Sequence, residues 1–301
     1  MRDCIIVGGG PAGLTAALYL ARYHLSVTLI DGGKSRAGLI PMSHNHAGFP
    51  DGVTGEELLG RIRRQLSSYP VTFWDATVES IVVRDEMFHV KAGDHTVQAR
   101  TVVIATGVIN HRPNMSDELH DKALARGSLR YCPVCDGYEV TDKEIAVTGS
   151  GSHALAEAKF LRSYTASVTV YPNEGTLDLD EGQRRELLDL GVTLLEAPPL
   201  AYSLAEEGLE VKFADRSRRF TSLYPALGSD IQSALALSIG ADRTEGGCLW
   251  VDAHQRTTIP GLYAAGDVVL GLDQISHAMG QAAVAATTIR NDLSAVRVLV
   301  R

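Results

Sequence analysis

Cys4-Ile5-Ile6-Val7-Gly8-Gly9-Gly10-Pro11-Ala12-Gly13 is followed by an Ala- and Leu-rich run from Leu14 to Tyr23 and then by Val27-Thr28-Leu29-Ile30-Asp31. An apolar run, a glycine turn, a helical run and a β-branched run ending in an acid spell a βαβ unit. Gly8, Gly10 and Gly13 match the G-x-G-x-x-G spacing. The first glycine permits the tight turn, the second lets backbone approach a pyrophosphate, and the third lets helix and strand pack closely. The exposed N–H groups and the positive end of the helix dipole then hold phosphates. Asp31 lies 18 residues beyond Gly13, near the spacing of ~20 expected for the carboxylate that takes ribose hydroxyls. The pattern predicts a dinucleotide site that includes Gly8, Gly10, Pro11, Ala12, Gly13, Asp31 and Gly32.

The same grammar returns about 140 residues later. Ile145-Ala146-Val147-Thr148 reads as a strand, Gly149-Ser150-Gly151-Ser152-His153-Ala154 as the turn, 155–163 as a helix and 167–171 as a strand. Two such halves imply two dinucleotide-binding folds. Between them, 33–55 is irregular, 56–66 helical, 71–90 a small antiparallel sheet, and 101–105 a buried strand entering Thr106-Gly107. Residues 176–224 carry a helix, then strands and turns. Residues 249–252 and 262–265 read as strands, the second closed by Gly266-Asp267, and 276–290 as an Ala-rich helix. This last block has no glycine fingerprint of its own, so it is expected to return to the first domain. The expected fold class is α/β, with two Rossmann-like dinucleotide-binding domains. The first is discontinuous, 1–110 plus 243–301, around a central domain over 111–242.

Composition sets the class. A length of 301 residues suggests two domains at about 150 residues each. Hydrophobic residues at 45% and charged residues at 21% suit a globular protein with a large core. A net charge of −8 disfavours nucleic acid and anionic membrane. No stretch approaches the ~18 apolar residues of a transmembrane helix. Met1-Arg2-Asp3 runs straight into the first strand and reads as fold, not as a signal peptide. A cytoplasmic location is expected.

The four cysteines are informative by spacing. Cys4 sits in an apolar run and Cys248 stands alone, whereas Cys132-Pro133-Val134-Cys135-Asp136-Gly137 is a C-x-x-C. One pair falls short of the four ligands of a structural zinc site, so no metal is expected. Two thiols at this spacing close a small disulfide ring, and a first cysteine near a helix start is a reactive thiolate. Asp136 is placed to move a proton at sulfur. No nucleophile elbow is present.

These features in order (Gly8–Gly13, Ala105-Thr106-Gly107, Cys132–Gly137, the turn at 149–154 and Gly266-Asp267) make the chain resemble the low-molecular-weight thioredoxin reductase family over nearly its whole length. The resemblance implies FAD on the first domain and a homodimer. It places Thr106, Gly107, Gly266, Asp267, Gln274 and Ile275 at the flavin, and Asn45 and Gly48 as the family's Asn-x-x-Gly near FAD. It implies that Cys135 faces the flavin, that Cys132 attacks the partner disulfide and that Asp136 is the acid. The partner would be a thioredoxin-like protein or a small dithiol or disulfide.

One departure bears on the electron donor. NADPH-using members end the strand after the second glycine turn in a His-Arg-Arg-type run that binds the 2′-phosphate. Here that strand runs into Tyr171-Pro172-Asn173-Glu174, and no Lys or Arg occurs from 163 to 183. A phosphate dianion would find no cation, and Glu174 would repel it. The expectation is a FAD-dependent disulfide oxidoreductase with poor or no NADPH use. Ferredoxin, a second FAD, or reverse operation as a dithiol oxidase would suit such a site. The alternatives are an NADPH-dependent thioredoxin reductase drawing cations from Arg184 or Arg185, and a flavin redox sensor. His44 and His46 read either as loop hydrogen-bonders or as acid–base groups near the flavin, and His277 either as a solvent-facing residue at a helix start or as a group near the flavin; Ser152 and His153 are unusual in the second turn. Tyr171, Trp250 and Tyr263 read as core or surface aromatics.

Overall fold

The computed structural model describes residues 1–299; the last two residues of the expected first domain, 300 and 301, lie outside the described residues. The chain divides into two compact units. One gathers 1–38, 54–109 and the chain from 231 onward, and the other gathers 39–53 and 110–230.

In the first unit, β1 (Arg2–Val7), α1 (Pro11–Arg22) and β2 (Val27–Asp31) form the βαβ unit. The central strand β1 is buried along nearly its whole length, as a parallel strand covered on both faces must be. The helix α2 (Gly55–Leu66) starts at Thr54, whose hydroxyl accepts from the Glu57 N–H, a standard N-cap. Then follow β3 (Val71–Asp75), β4 (Val78–Arg84), β5 (Met87–Ala92) and β6 (His95–Ile104). The expected antiparallel sheet over 71–90 is split. Residues 71–75 pair parallel with β2, Thr28 opposite Thr72, and only β4, β5 and β6 run as an antiparallel meander. The alternation in this stretch reports half-buried strands and is blind to their direction.

The second unit follows β7 (Val108–Asn110) with α3 (Asp117–Ala125), the short α4 (Pro133–Asp136), β8 (Ile145–Gly149), α5 (Gly151–Leu161), β9 (Val168–Tyr171), α6 (Glu181–Asp189) and β10 (Thr193–Leu194). The strands β11 (Ala201–Leu204), β12 (Leu209–Lys212), β13 (Ser217–Phe220) and β14 (Ser222–Ala226) come next. A parallel sheet in the order β10-β9-β8-β14 is joined by an antiparallel three-stranded sheet, β11-β12-β13. Alternate residues feed two cores, following the period-two geometry of strands. Ile145, Val147, Val168, Val170 and Tyr224 join Ala154, Ala158 and Leu161 of α5. Ala146, Tyr171 and Leu223 join Leu209, Val211 and Phe220 of the antiparallel sheet.

After β15 (Ser229–Ile231) the chain adds α7 (Ala234–Leu237), β16 (Leu262–Ala264) and α8 (Ile275–Val296) to the first unit. The long strand β6 makes this return possible. Residues 95–99 pair with β5, and residues 102–104 pair parallel with β16. Small residues on both helices let α8 lie against α1. The strand expected over 249–252 does not form. Leu249 donates to Val268 and Trp250 donates to Asp242, so successive N–H groups serve different partners and no ladder extends.

Arg256 grips the Asp292 carboxylate of α8 through two bonds of 2.7 and 2.9 Å, and the Tyr263 hydroxyl of β16 donates to the same carboxylate at 2.6 Å. Arg256 holds this carboxyl below the usual carboxylate range. The carboxylate is partly solvated, so Asp292→Asn is expected to lower unfolding stability by about 1 kcal/mol after screening. Urea denaturation midpoints would show the loss. A depressed folded pKa contributes stability above the unfolded value and loses it as pH falls through the folded one. The difference between variant and parent should therefore close on acidification.

Candidate flavin and dithiol sites

In the first unit the glycine turn forms a cradle with no room for side chains. Gly8 has a φ of +108° and donates to Ile30 at 2.8 Å, and a Cβ there would sit 2.3 Å from the Ala105 carbonyl oxygen. A Cβ on Gly13 would lie 1.9 Å from the Gly8 carbonyl oxygen, and one on Gly9 2.1 Å from Asp31 Oδ2. Asp31 is thus folded over the turn, accepting from Gly33 N–H at 3.1 Å and from Arg63 at 2.7 Å. No side chain caps α1, which leaves first-turn N–H groups for an external acceptor. Gly266 closes onto Ala12 and donates to Gln281 at 2.8 Å. Asp267 and Asp273 share Arg36 at 3.0 and 3.1 Å. Gln274 stands at the N-cap of α8 and Ile275 opens that helix. Thr106 donates to the Gln232 carbonyl at 2.6 Å, and Gly107 accepts from the Gln232 N–H. Gly32 packs on Thr77. His277 packs against Gly271. Tyr171 and Tyr263 are buried, and Trp250 is about half exposed.

In the second unit Cys132 and Cys135 are joined as a disulfide. Cys132 is the N-cap of α4, with its sulfur accepting from the Cys135 N–H at 3.1 Å and Pro133 opening the turn. A Cβ on Gly137 would meet the Pro133 carbonyl oxygen and the Tyr164 ring, both at 2.6 Å, which explains the glycine after Asp136. Asp136 forms an ion pair with Arg130 at 3.0 Å and accepts from the Tyr224 hydroxyl at 3.0 Å. Arg130 is itself fixed by Ser222 Oγ at 3.1 Å, and its backbone N–H donates to Leu223. Burial raises Asp136 above its ordinary value against the pull of Arg130 and Tyr224. Burial and the charge of Asp136 raise Glu157 to about 7. Asn45 belongs to this unit, where its amide donates to Val134 at 3.3 Å. His46 stacks on Phe49, and burial lowers its pKa. His153 is exposed.

The second glycine turn differs from the first in its backbone. Gly10 has a φ of −77°, whereas its counterpart Gly151 takes +60° and donates its N–H to the Leu177 carbonyl at 2.8 Å. Leu177 is fully buried. Val7 pairs with Ile30 in the first unit, and Thr148 pairs with Tyr171 in the second. The residue after Ile30 is Asp31; the residue after Tyr171 is Pro172, which is buried. Asn173 turns back and accepts from the Asn114 N–H at 3.1 Å.

Residues 2–282 match the model of the pyridine nucleotide–disulphide oxidoreductase family. The chain belongs to that family. It is 31% identical over 301 residues to a thioredoxin reductase of Streptomyces coelicolor, covering 96% of this chain and 90% of that one. It superposes on the crystal structure of a thioredoxin reductase from Streptococcus pyogenes with a TM-score of 0.87 at 27% identity, over 98% of this chain and 99% of that one. For the crystal structure of HlmI the TM-score is 0.88 at 26% identity, over 98% and 95%. The chain is an α/β flavoprotein disulfide oxidoreductase with two dinucleotide-binding folds, and the family implies FAD. The first unit fits that cofactor: its cradle has space only for glycine, its helix start is uncapped and a carboxylate lies at the strand end.

Sequence reading missed Arg36, Arg63, Arg130, Glu157 and Tyr224. Arg130 stands two residues before Cys132 and was within reach of the motif. The others lie on separate elements, and only the fold brings them in.

Gly8→Ala should abolish retention of flavin, because the added Cβ meets backbone on a left-handed φ; the flavin-to-protein absorbance ratio of purified protein measures this. The free thiols are separable from the couple. Burial pushes Cys4 up to about 12 and also raises Cys248. After mild reduction, iodoacetamide should label Cys132 while leaving Cys4 untouched until denaturation, as read by peptide mass mapping.

Proposed function

We propose that this protein moves electrons between FAD and the Cys132/Cys135 couple, and onward to or from a thioredoxin-like protein or a small dithiol or disulfide, with little or no use of NADPH. FAD would be held by Gly8, Gly10, Pro11, Ala12, Gly13, Asp31 and Gly32 of the glycine turn and strand end, with Thr106, Gly107, Gly266, Asp267, Gln274, Ile275 and Asn45 as further contacts. When bound, it supplies a two-electron donor and acceptor. The Cys132 thiolate attacks one sulfur of the partner disulfide, a mixed disulfide forms, and the partner's other sulfur leaves as a thiolate that takes a proton from Asp136. The Cys135 thiolate then attacks Cys132 Sγ, releasing the second partner thiolate and re-forming the Cys132–Cys135 disulfide. The couple is oxidised by two electrons and the partner reduced; the reverse sequence oxidises a dithiol.

The observation that carries the donor reading is the second glycine turn. The Gly151 N–H faces Leu177 instead of a pyrophosphate, and a buried Pro172 stands where the first unit has its ribose-binding acid. Arg184, one of the two substitute cations that follow the strand end, is already gripped by Glu196 at 2.5 and 3.1 Å. A 2′-phosphate bound by Arg184 would have to break that pair. Electron supply by ferredoxin, by a second FAD, or by a dithiol substrate in the oxidase direction fits this arrangement. The likeness to thioredoxin reductases supports a homodimer and a cytoplasmic location. No helix among the described residues is long and apolar enough to cross a membrane.

Stopped-flow mixing with NADPH should leave the flavin oxidised on the millisecond scale, and rapid bleaching at micromolar nucleotide would sink the donor reading. Cys135→Ser should abolish turnover with dithiols or thioredoxin-like proteins while retaining flavin. Parent protein that shows no such turnover at all would favour a redox sensor.

A further inference from the structure

Arg36 uses only part of its guanidinium within the first unit. Its Nη1 carries both ion pairs, to Asp267 at 3.0 Å and to Asp273 at 3.1 Å. Its Nε and Nη2 have no partner among the described residues, although the side chain is only 25% exposed. A donor held partly out of water and left unpaired costs free energy. Two contacts place this side chain beside the start of α1. The preceding residue, Ser35, packs on the N-cap Gly10, its Oγ 3.1 Å from where a Cβ would lie. The ion-pair partner Asp267 follows Gly266, where an added Cβ would lie 3.0 Å from Ala12 Cβ. In that first turn Pro11 has no N–H and the Leu14 N–H donates to Gly10 at 3.0 Å, which leaves the N–H groups of Ala12 and Gly13. Those two neutral donors would meet a pyrophosphate diester that carries two negative charges, and Asp267 beside them would repel it.

We propose that Arg36 is a further FAD-binding residue, its free Nε and Nη2 hydrogens holding the cofactor's pyrophosphate while Nη1 offsets Asp267. The inference rests on the reading that FAD occupies the first unit, and adds to the glycine turn a side chain that no spacing rule marks. Nε and Nη2 form one edge of the planar guanidinium, and such an edge makes two parallel charge-assisted bonds to a phosphate. The two carboxylates on Nη1 fix the plane in which that edge lies. Lysine at this position would keep the charge and lose the fork. Without a cation here, Asp267 and Asp273 would face the diester with only backbone dipoles to oppose them.

The test is FAD affinity, then phosphorus NMR, on the full chain. Protein stripped of flavin is titrated with FAD, and binding is followed by quenching of flavin fluorescence. Arg36→Gln should weaken FAD binding about tenfold to a hundredfold, the range for a lost hydrogen bond to a charged group. Arg36→Lys should fall between the parent and Arg36→Gln. Unchanged affinity in Arg36→Gln would overturn the proposal, and so would a lysine variant as weak as the glutamine one, since the charge would then play no part. The second arm uses protein saturated with FAD. In Arg36→Lys at least one of the two pyrophosphate phosphorus resonances should move, while the visible flavin absorption band stays in place. Unmoved phosphorus resonances would overturn the contact, even where affinity falls through a loosened Asp267. A parent protein that binds no FAD would sink the cofactor reading and this proposal with it. Equally tight binding by the parent and Arg36→Gln would sink the role of Arg36 alone.

Discussion

Parallel strand register carries most of what this protein does. In each unit a central strand ends in a glycine turn, and the strand beside it ends one step later at the place where a dinucleotide's ribose would lie. Val7 opposite Ile30 puts Asp31 there in the first unit; Thr148 opposite Tyr171 puts Pro172 there in the second. The backbone hydrogen bonds of the ladder set these positions, so no side-chain adjustment shifts them by half a residue. The same register brings the Ala105 carbonyl against Gly8 and leaves space there for hydrogen alone.

Two units built on one plan have thus diverged at the turn itself. The first presents an uncapped helix start with a carboxylate folded over the glycines. In the second, Gly151 adopts the left-handed region and turns its N–H toward a buried leucine segment. That change engages the Gly151 N–H within the unit and adds a backbone bond that ties Leu177 to the sheet end. Chemistry in the second unit gathers instead at α4, where Asp136 sits between a guanidinium and a phenol, with Glu139 adding negative charge and the Asp136 charge in turn raising Glu157. Partial burial sharpens every one of these interactions, because water no longer screens them.

Much of this was legible before any coordinates. The glycine spacing, the strand-end acid and the Cys132–Gly137 run each depend on local chain geometry, and each appears in the structure as an intact local element. The direction of β3 was not legible, since alternation is the same for parallel and antiparallel strands. Nor was the missing strand at 249–252, where an apolar run failed because Leu249 and Trp250 donate to different partners. The absence of cations after β9 was readable, but the occupied Gly151 N–H and the pairing of Arg184 with Glu196 were not.

By itself, the sequence determined that there are two glycine-turn βαβ units, that a redox-spaced cysteine pair lies between them, and that no Lys or Arg occurs from 163 to 183. These follow from spacing along the chain, which survives in any fold that keeps the local elements. Tertiary structure alone decided that Pro172 takes the register position of Asp31, that Leu177 occupies the Gly151 N–H, and that Arg130, Tyr224 and Glu157 converge on Asp136. Those residues are 6 to 88 positions from Asp136 or its neighbours in the chain, and no local rule ties them together. Hydrogen bonds and charge interactions act through space, and the parallel sheet is what brings their partners within reach.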